Sequence, residues 1–362
     1  MAALHLTLTL TPARTLTLTL TLALTLALTI LAQAIGSSGA ACNSTTPCVR
    51  QLDALLLDGT PIGDHGATVL ADALAPDEPL EFDVSLALGA TGLGAIGGIA
   101  LAAALRSKTS RLLSVSLNWN EQLGDDGAAA IGNALVGNVA LRELGLARCG
   151  ISDAGAARLG LGLQGRSSVL HTLELEGNAI GPAGAQALGT ALETNMGLDS
   201  LGLALNHLGA DGAAALALGL RRNANLTSLN LAGCELGDDG AVALALALRS
   251  NEVLRDLNLQ NNGIGSRGGA AIASMLRINR SLRRLNLRLN QLGEASATTL
   301  LDAVTNGEAA LFGNGSVAVL LEHNLVPPGL PGSAADEPTE APISDDLMSK
   351  LTMAVAAHGT MV

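Results

Sequence analysis

The chain has 362 residues, a formal charge of −12 and three aromatic side chains, Phe82, Trp119 and Phe312, although 48% of its residues are hydrophobic. An acidic chain almost without rings lacks the cationic surface and the stacking platforms that nucleic acid requires, so nucleic acid is excluded as a partner. The same scarcity excludes an ordinary ring-filled globular core and leaves one built from many small Leu and Ala contacts.

Residues 1–34 alternate Thr with Leu, carry Arg14 as the only charged side chain and close on Ala32-Gln33-Ala34. An uncharged run ending in small residues reads as a secretory signal peptide, which places the mature chain outside the cell or in the endomembrane system. The alternatives are a low-complexity Thr-Leu leader on a cytoplasmic chain, or a retained anchor, the one case in which a membrane is a partner. In every reading the leader stands apart from the fold. Residues 35–51 form an N-terminal cap segment, where Cys42 and Cys48 bracket a short loop and are spaced for a disulfide. That bridge requires an oxidising compartment.

From Leu52 to residue 326 one pattern recurs: L-x-x-L-x-L-x-x-N/C/T-x-I/L-G-x-x-G-A-x-x-L-A-x-x-L. It begins at Leu52, Asp83, Leu112, Leu141, Leu170, Leu198, Leu226, Leu254 and Leu282, and a degenerate tenth copy starts near Ser316. In the copy from Leu226, the alternation of Leu229 and Leu231 predicts a short strand with its leucines inward. Cys234 then turns the chain, in the slot that Asn120, Cys149, Asn178, Asn206, Asn262 and Asn290 fill elsewhere. A side chain there is expected to bond buried loop backbone, with the two cysteines as structural stand-ins for Asn. Ala241, Leu244, Ala245 and Leu248 share one helical face. Asp238 and Asp239 fall where capping carboxylates belong, and Gly240 is expected to let helix and strand approach closely. Asn138, Asn195, Asn223, Asn251 and Asn279 follow the helices, where left-handed C-caps are expected.

Residues 327–343 are Pro-rich and acidic and read as a linker. Residues 344–362 read as a C-terminal helix or tail: Ser344 precedes Asp345 and Asp346, Ile343 and Met348 are spaced as a hydrophobic staple, and Leu347, Leu351 and Val355 line one stripe. That stripe covers the open end of the repeats or docks on a partner, and the cap is the favoured reading.

The motif resembles the ribonuclease-inhibitor-type leucine-rich repeat, also found in NOD-like receptors and in the Ran GTPase-activating protein. The resemblance implies an α/β horseshoe of about ten strand–helix repeats with a parallel sheet on the concave face. It implies a non-enzymatic scaffold that binds protein through that face; the alternatives it implies are a cytoplasmic regulator of a small GTPase and a recognition fragment related to NOD-like receptors.

No catalytic or metal constellation is present in the sequence, and no cofactor is expected. Gly92-x-Gly94-x-x-Gly97 and Gly160-x-Gly162-x-x-Gly165 match a phosphate-cradle spacing, but both fall on repeat positions. Four N-glycosylation sequons begin at Asn43, Asn225, Asn279 and Asn314. Outward strand positions supply the candidate partner-binding residues. Trp119 is the expected anchor, since exposed Trp is the residue most prone to dominate an interface. Glu143, Glu174 and Glu176 form an acidic spot, and Arg283, Arg284 and Arg288 a basic one.

Overall fold

The computed structural model describes residues 9–10, 15–17, 52–75, 82–164, 169–306, 317–324, 343–344 and 346–347. The chain divides into two compact units, Met1–Ala179 and Ile180–Val362. The first contains strands β1 (Thr9–Leu10), β2 (Thr15–Thr17), β3 (Ala54–Leu56), β4 (Val84–Ala87), β5 (Leu112–Ser116), β6 (Glu143–Gly145) and β7 (Thr172–Glu174). Its helices are α1 (Gly63–Leu74), α2 (Ala95–Arg106), α3 (Gly124–Leu135) and α4 (Asp153–Leu163). From β3 to β7 the strands pair in parallel, with Leu55, Leu86, Val115, Leu144 and Leu173 side by side.

The second unit runs α5 (Pro182–Leu192), β8 (Ser200–Gly202), α6 (Gly209–Leu220), β9 (Ser228–Asn230), α7 (Gly237–Leu248), β10 (Asp256–Asn258), α8 (Ser266–Leu276), β11 (Arg284–Asn286), α9 (Glu294–Asn306) and β12 (Ala318–Leu320). Strands β8 to β12 are parallel and align Leu201, Leu229, Leu257, Leu285 and Val319. From β3 onward each unit is thus an open parallel sheet whose strands alternate with helices, the α/β repeat solenoid that the sequence predicts. Leu226, Leu229 and Leu231 are buried, as are Leu244, Ala245 and Leu248 of the helix behind them. At about 1.5–3 kcal/mol per buried leucine, these layers are the main source of stability.

The turn after each strand is held by the Asn slot. Asn120 donates from Nδ2 to the carbonyls of Leu88 and Leu117, and its Oδ1 accepts from the amides of Thr91 and Leu93. Asn178 treats Leu146, Leu175, Cys149 and Ile151 in the same way. Every such bond joins one repeat to the next or closes the turn itself. Cys149 and Cys234 are buried free thiols that donate to Leu117 O and Leu203 O, at 3.2 and 3.1 Å. Burial pushes their pKa values up to about 12 and about 11. They therefore stay protonated at neutral pH and keep the proton they donate, as the stand-in reading requires.

Three local expectations need correction. The asparagines after the helices are not left-handed: none is among the residues with positive φ. They form a second buried ladder instead. Asn251 Nδ2 donates to Leu220 O and its Oδ1 accepts from the amides of Val253 and Leu254. A short amide side chain that reaches the previous helix end satisfies its last carbonyls without needing a reversed backbone. The helix-start aspartates do cap, but they cap the following helix. Asp238 Oδ1 accepts from Gly265 N and Gly268 N, and Asp64 Oδ1 from Gly94 N and Gly97 N. Asp125 does the same for Ser152 and Gly155. Burial pushes the Asp125 carboxyl up, but the bonds from Ser152 and Gly155 outweigh it and leave the group titrating below its ordinary range. Finally, the repeat glycine brings helix against helix rather than helix against strand: a Cβ on Gly240 would lie 3.0 Å from Ala213 Cβ on α6.

The leader, expected outside the fold, supplies two short strands. Thr15–Thr17 pairs in parallel with Ala54–Leu56 and antiparallel with Thr9–Leu10. Thr-Leu alternation has strand periodicity, and β3 otherwise offers unpaired backbone groups at the sheet edge. At the other end Leu347 is buried, and Ser344 Oγ donates to Glu294 Oε1 of α9 at 3.1 Å. The cap segment with Cys42 and Cys48, sequons Asn43 and Asn314, and nearly all of the Pro-rich linker lie outside the described residues.

The ladder makes a stability prediction. Asn262 bonds Leu231 O, Gln260 O, Cys234 N and Leu236 N. Asn262→Ala strands these groups at roughly 1–3 kcal/mol each where they are buried, so denaturant melts should show a loss of about 3 kcal/mol or more. Asn262→Cys should cost clearly less, because a thiol already serves at the equivalent positions 149 and 234. A loss under about 1 kcal/mol for the alanine variant would show that the ladder is dispensable.

Candidate partner-binding face

Outward side chains of β5, β6 and β7 and of the turns after them share one face of the first unit. The turn shapes this face. In ten copies the eighth repeat residue has positive φ: Gly59, Ala90, Trp119, Arg148, Gly177, Leu205, Gly233, Asn261, Leu289 and His323. An L-residue held there costs about 1–3 kcal/mol and persists only where its surroundings enforce it. At Trp119, with φ of 66°, the enforcement comes from Trp119 N donating to Ala147 O at 2.7 Å and from Asn120 anchored beneath. The reversed backbone turns the indole outward, and Trp119 is 55% exposed.

Next to it stands Arg148, which the sequence reading did not single out. Its guanidinium carbon lies 4.2 Å from the centroid of the Trp119 ring, a cation–π contact between neighbouring eighth positions. The two acidic strand positions are also held. Ser114 Oγ donates to Glu143 Oε2 at 3.0 Å, and Asn118 Nδ2 reaches across a whole repeat to Glu174 Oε2 at 3.4 Å. Asn118 takes that path because Gly145 lies beneath it: a Cβ on Gly145 would meet Asn118 Oδ1 at 2.8 Å. The same Oδ1 accepts from Ala147 N at 2.8 Å. Glu143 and Glu174 are exposed and Glu176 is half-exposed. Trp119, Glu143, Glu174 and Glu176 therefore lie on consecutive repeats of one unit, around a floor kept low by Gly145 and Ala147.

The basic spot belongs to the second unit and is largely spent within it. Arg284 is paired with Asp256 and Arg288 with Glu322. The half-buried Arg283 donates to the carbonyls of Arg280 and Leu282. Asn258 and Asn286 at the fifth position accept from Gln260 N and Arg288 N, so amides rather than charges line this part of the face.

The phosphate-like glycine run is also occupied from within, since Asp64 takes the amides of Gly94 and Gly97 that an anion would need. Among the described residues no cluster of His, Cys, Asp and Glu has the makings of a metal site, and no helix is long and apolar enough to cross a membrane. Arg148, Asn118 and Gly145 were missed because each acts through a neighbouring repeat. Only the glycines and Asn261 recurring at the eighth position hinted at a left-handed turn that would expose whatever larger residue stood there.

A family model agrees with this architecture. The family described as leucine-rich repeat matches residues 111–132, 166–189, 222–245, 250–273 and 279–301, so leucine-rich repeats are present in the chain. No curated protein matches it in sequence. Among solved structures, leiomodin-1 actin-binding site 2 is 27% identical over 34% of this chain and 71% of its own, with a TM-score of 0.31. The yeast complex of Rad7 and Elc1 is 16% identical over 79% of this chain and 85% of its own, with a TM-score of 0.29.

The chain's single tryptophan makes the Arg148 contact measurable. Arg148→Ala should uncover one face of the indole and raise acrylamide quenching of Trp119 emission. A double-mutant cycle with Trp119→Ala should give a coupling of about 0.5–1 kcal/mol, the size of an exposed cation–π contact. Unchanged quenching would show that the guanidinium does not cover the ring in solution.

Proposed function

We propose that this chain of leucine-rich repeats is a non-enzymatic scaffold of the ribonuclease-inhibitor-like type, and that it captures a protein partner on the strand face of its first unit. The partner presents a basic segment. The observation that carries this reading is the exposed, conformationally fixed Trp119 beside the oriented carboxylates of Glu143 and Glu174. A ring that is already held in place loses little entropy on binding, which is what makes a buried aromatic anchor effective. The glutamates draw in a cationic partner and set its register along the repeats. Repeats of 28 or 29 residues from the second copy through the eighth, each with a full helix, support the subtype. Ion pairing of Arg284 and Arg288 within the second unit favours the acidic region over the basic one as the first point of contact.

The test is affinity capture from a lysate, followed by surface plasmon resonance with the captured partner. Trp119→Ala should weaken binding by about 2 kcal/mol or more, mainly through faster dissociation. Glu174→Lys combined with Glu176→Lys should slow association, and added salt should shrink that effect. Leu218 and Leu246, exposed on helices α6 and α7, provide the control. If Leu218→Asp with Leu246→Asp abolishes binding while the Trp119 and glutamate variants bind like the parent, the strand face is not the binding surface.

A further inference from the structure

Two of the four sequons fall on asparagines whose side-chain nitrogen is fully committed inside the fold. Asn279 is buried in the helix-end ladder, and its Nδ2 donates to Leu248 O at 2.7 Å and to Asn251 O at 2.9 Å. Both amide hydrogens are used, and both acceptors are backbone. The half-buried Asn225 also uses both amide hydrogens, with one side-chain acceptor: its Nδ2 donates to Leu198 O at 3.0 Å and to Asp199 Oδ1 at 2.9 Å. Even the sequon hydroxyls serve the stack, because Ser281 Oγ donates to Asn251 O and Thr227 Oγ to Asp199 O.

N-glycosylation forms a bond from the asparagine Nδ2 to the anomeric carbon of a sugar carried on a lipid pyrophosphate. The lipid pyrophosphate leaves, and one amide proton is lost. At Asn279 that exchange would remove one ladder bond and place a sugar ring where a backbone carbonyl sits less than 3 Å away. The transferring enzyme acts on the extended chain, before burial can protect the site. The three other buried asparagines of this ladder, Asn195, Asn223 and Asn251, carry no Ser or Thr two residues on.

We infer that glycosylation at Asn279 or Asn225 is incompatible with the folded stack, and that the chain folds and works in a compartment without N-glycosylation machinery. This selects the cytoplasmic alternative over a glycosylating secretory route. It is independent of which face binds a partner. The buried thiols Cys149 and Cys234 are at home in a reducing compartment, and a Cys42–Cys48 bridge is not expected there.

The experiment expresses the full chain in cultured eukaryotic cells in two forms, unaltered and directed into the endoplasmic reticulum by an added cleavable signal. Mass spectrometry maps Asn225 and Asn279, and cooperative melting reports folding. The unaltered chain should fractionate with cytosolic markers, fold, and carry both asparagines bare. The redirected chain should be glycosylated at one or both positions and be retained unfolded. Thr227→Val with Ser281→Ala, which deletes both sequons while keeping the ladder asparagines, should restore its folded secretion several-fold. The same double variant expressed in the cytosol must fold, which separates loss of the sequon from loss of the hydroxyl bonds. Secretion of the unaltered chain in folded form overturns the inference. So does folded redirected protein that carries these glycans, or redirected parent secreted as well as the double variant.

Discussion

Among the described residues, every strand from β3 onward is only three to five residues long, so the backbone soon leaves the sheet and enters a turn that packing has sealed from water. The buried amides and carbonyls of that turn have no ladder partner of their own, and leaving them unpaired would cost roughly 1–3 kcal/mol each, a sum comparable to what several buried leucines contribute. One side chain per repeat settles the matter. Asn120, Asn178, Asn262 and Asn290 each donate to carbonyls on two levels and accept from amides of the preceding repeat. Stacking and hydrogen bonding are therefore the same event: a repeat satisfies its turn only when its neighbour is in place. This coupling is what makes such solenoids cooperative along their length.

The remaining features follow from that fixed turn. With the ninth residue tied inward, the eighth is forced into a left-handed conformation and its side chain outward, whatever it is. Half of the copies place Gly, Ala or Asn there, but the third places Trp119 and the fourth Arg148, and the two stack. The helix that follows starts at a defined point, so a carboxylate on one helix can cap the next, as Asp64, Asp125 and Asp238 do. A recognition surface on this scaffold is thus a grid, with repeats as rows and outward positions as columns. Substitutions alter the contents of the grid while its geometry stays fixed by the ladder.

The fold was legible because it rests on periodicity. Leucine alternation gave the strands, the helical stripe gave the helices, and the polar slot after each strand gave the Asn ladder, including Cys149 and Cys234 as replacements. What the sequence obscured were contacts between repeats. An aspartate at a helix start looks like a cap for its own helix, because its reach to the following one depends on the stacking distance. An asparagine after a helix looks like a left-handed cap, because nothing local shows a carbonyl waiting on the previous level. Of the candidate site, the positions of Trp119, Glu143 and Glu174 were legible from register. Their orientation by Arg148, Ser114 and Asn118 was not, nor was the pairing that ties up Arg284 and Arg288.

The leader illustrates the same physics in another way. A Thr-Leu run with strand periodicity finds the bare edge of β3 and adds to it, whatever other purpose its composition serves. Edge strands and tail contacts are peripheral, however; the stack itself stands or falls with the Asn slot. Native-state hydrogen exchange with increasing denaturant tests this most directly. The amides of Thr91, Leu93, Cys149, Ile151, Cys234 and Ile264 all donate to Asn Oδ1 atoms of the next repeat. They should exchange only when their whole unit unfolds, with protection as high as that of the buried strand amides and the same steep denaturant dependence. Rapid, denaturant-independent exchange at these six amides, with strands and helices still protected, would show that the turns open freely and that the ladder does not hold the repeats together.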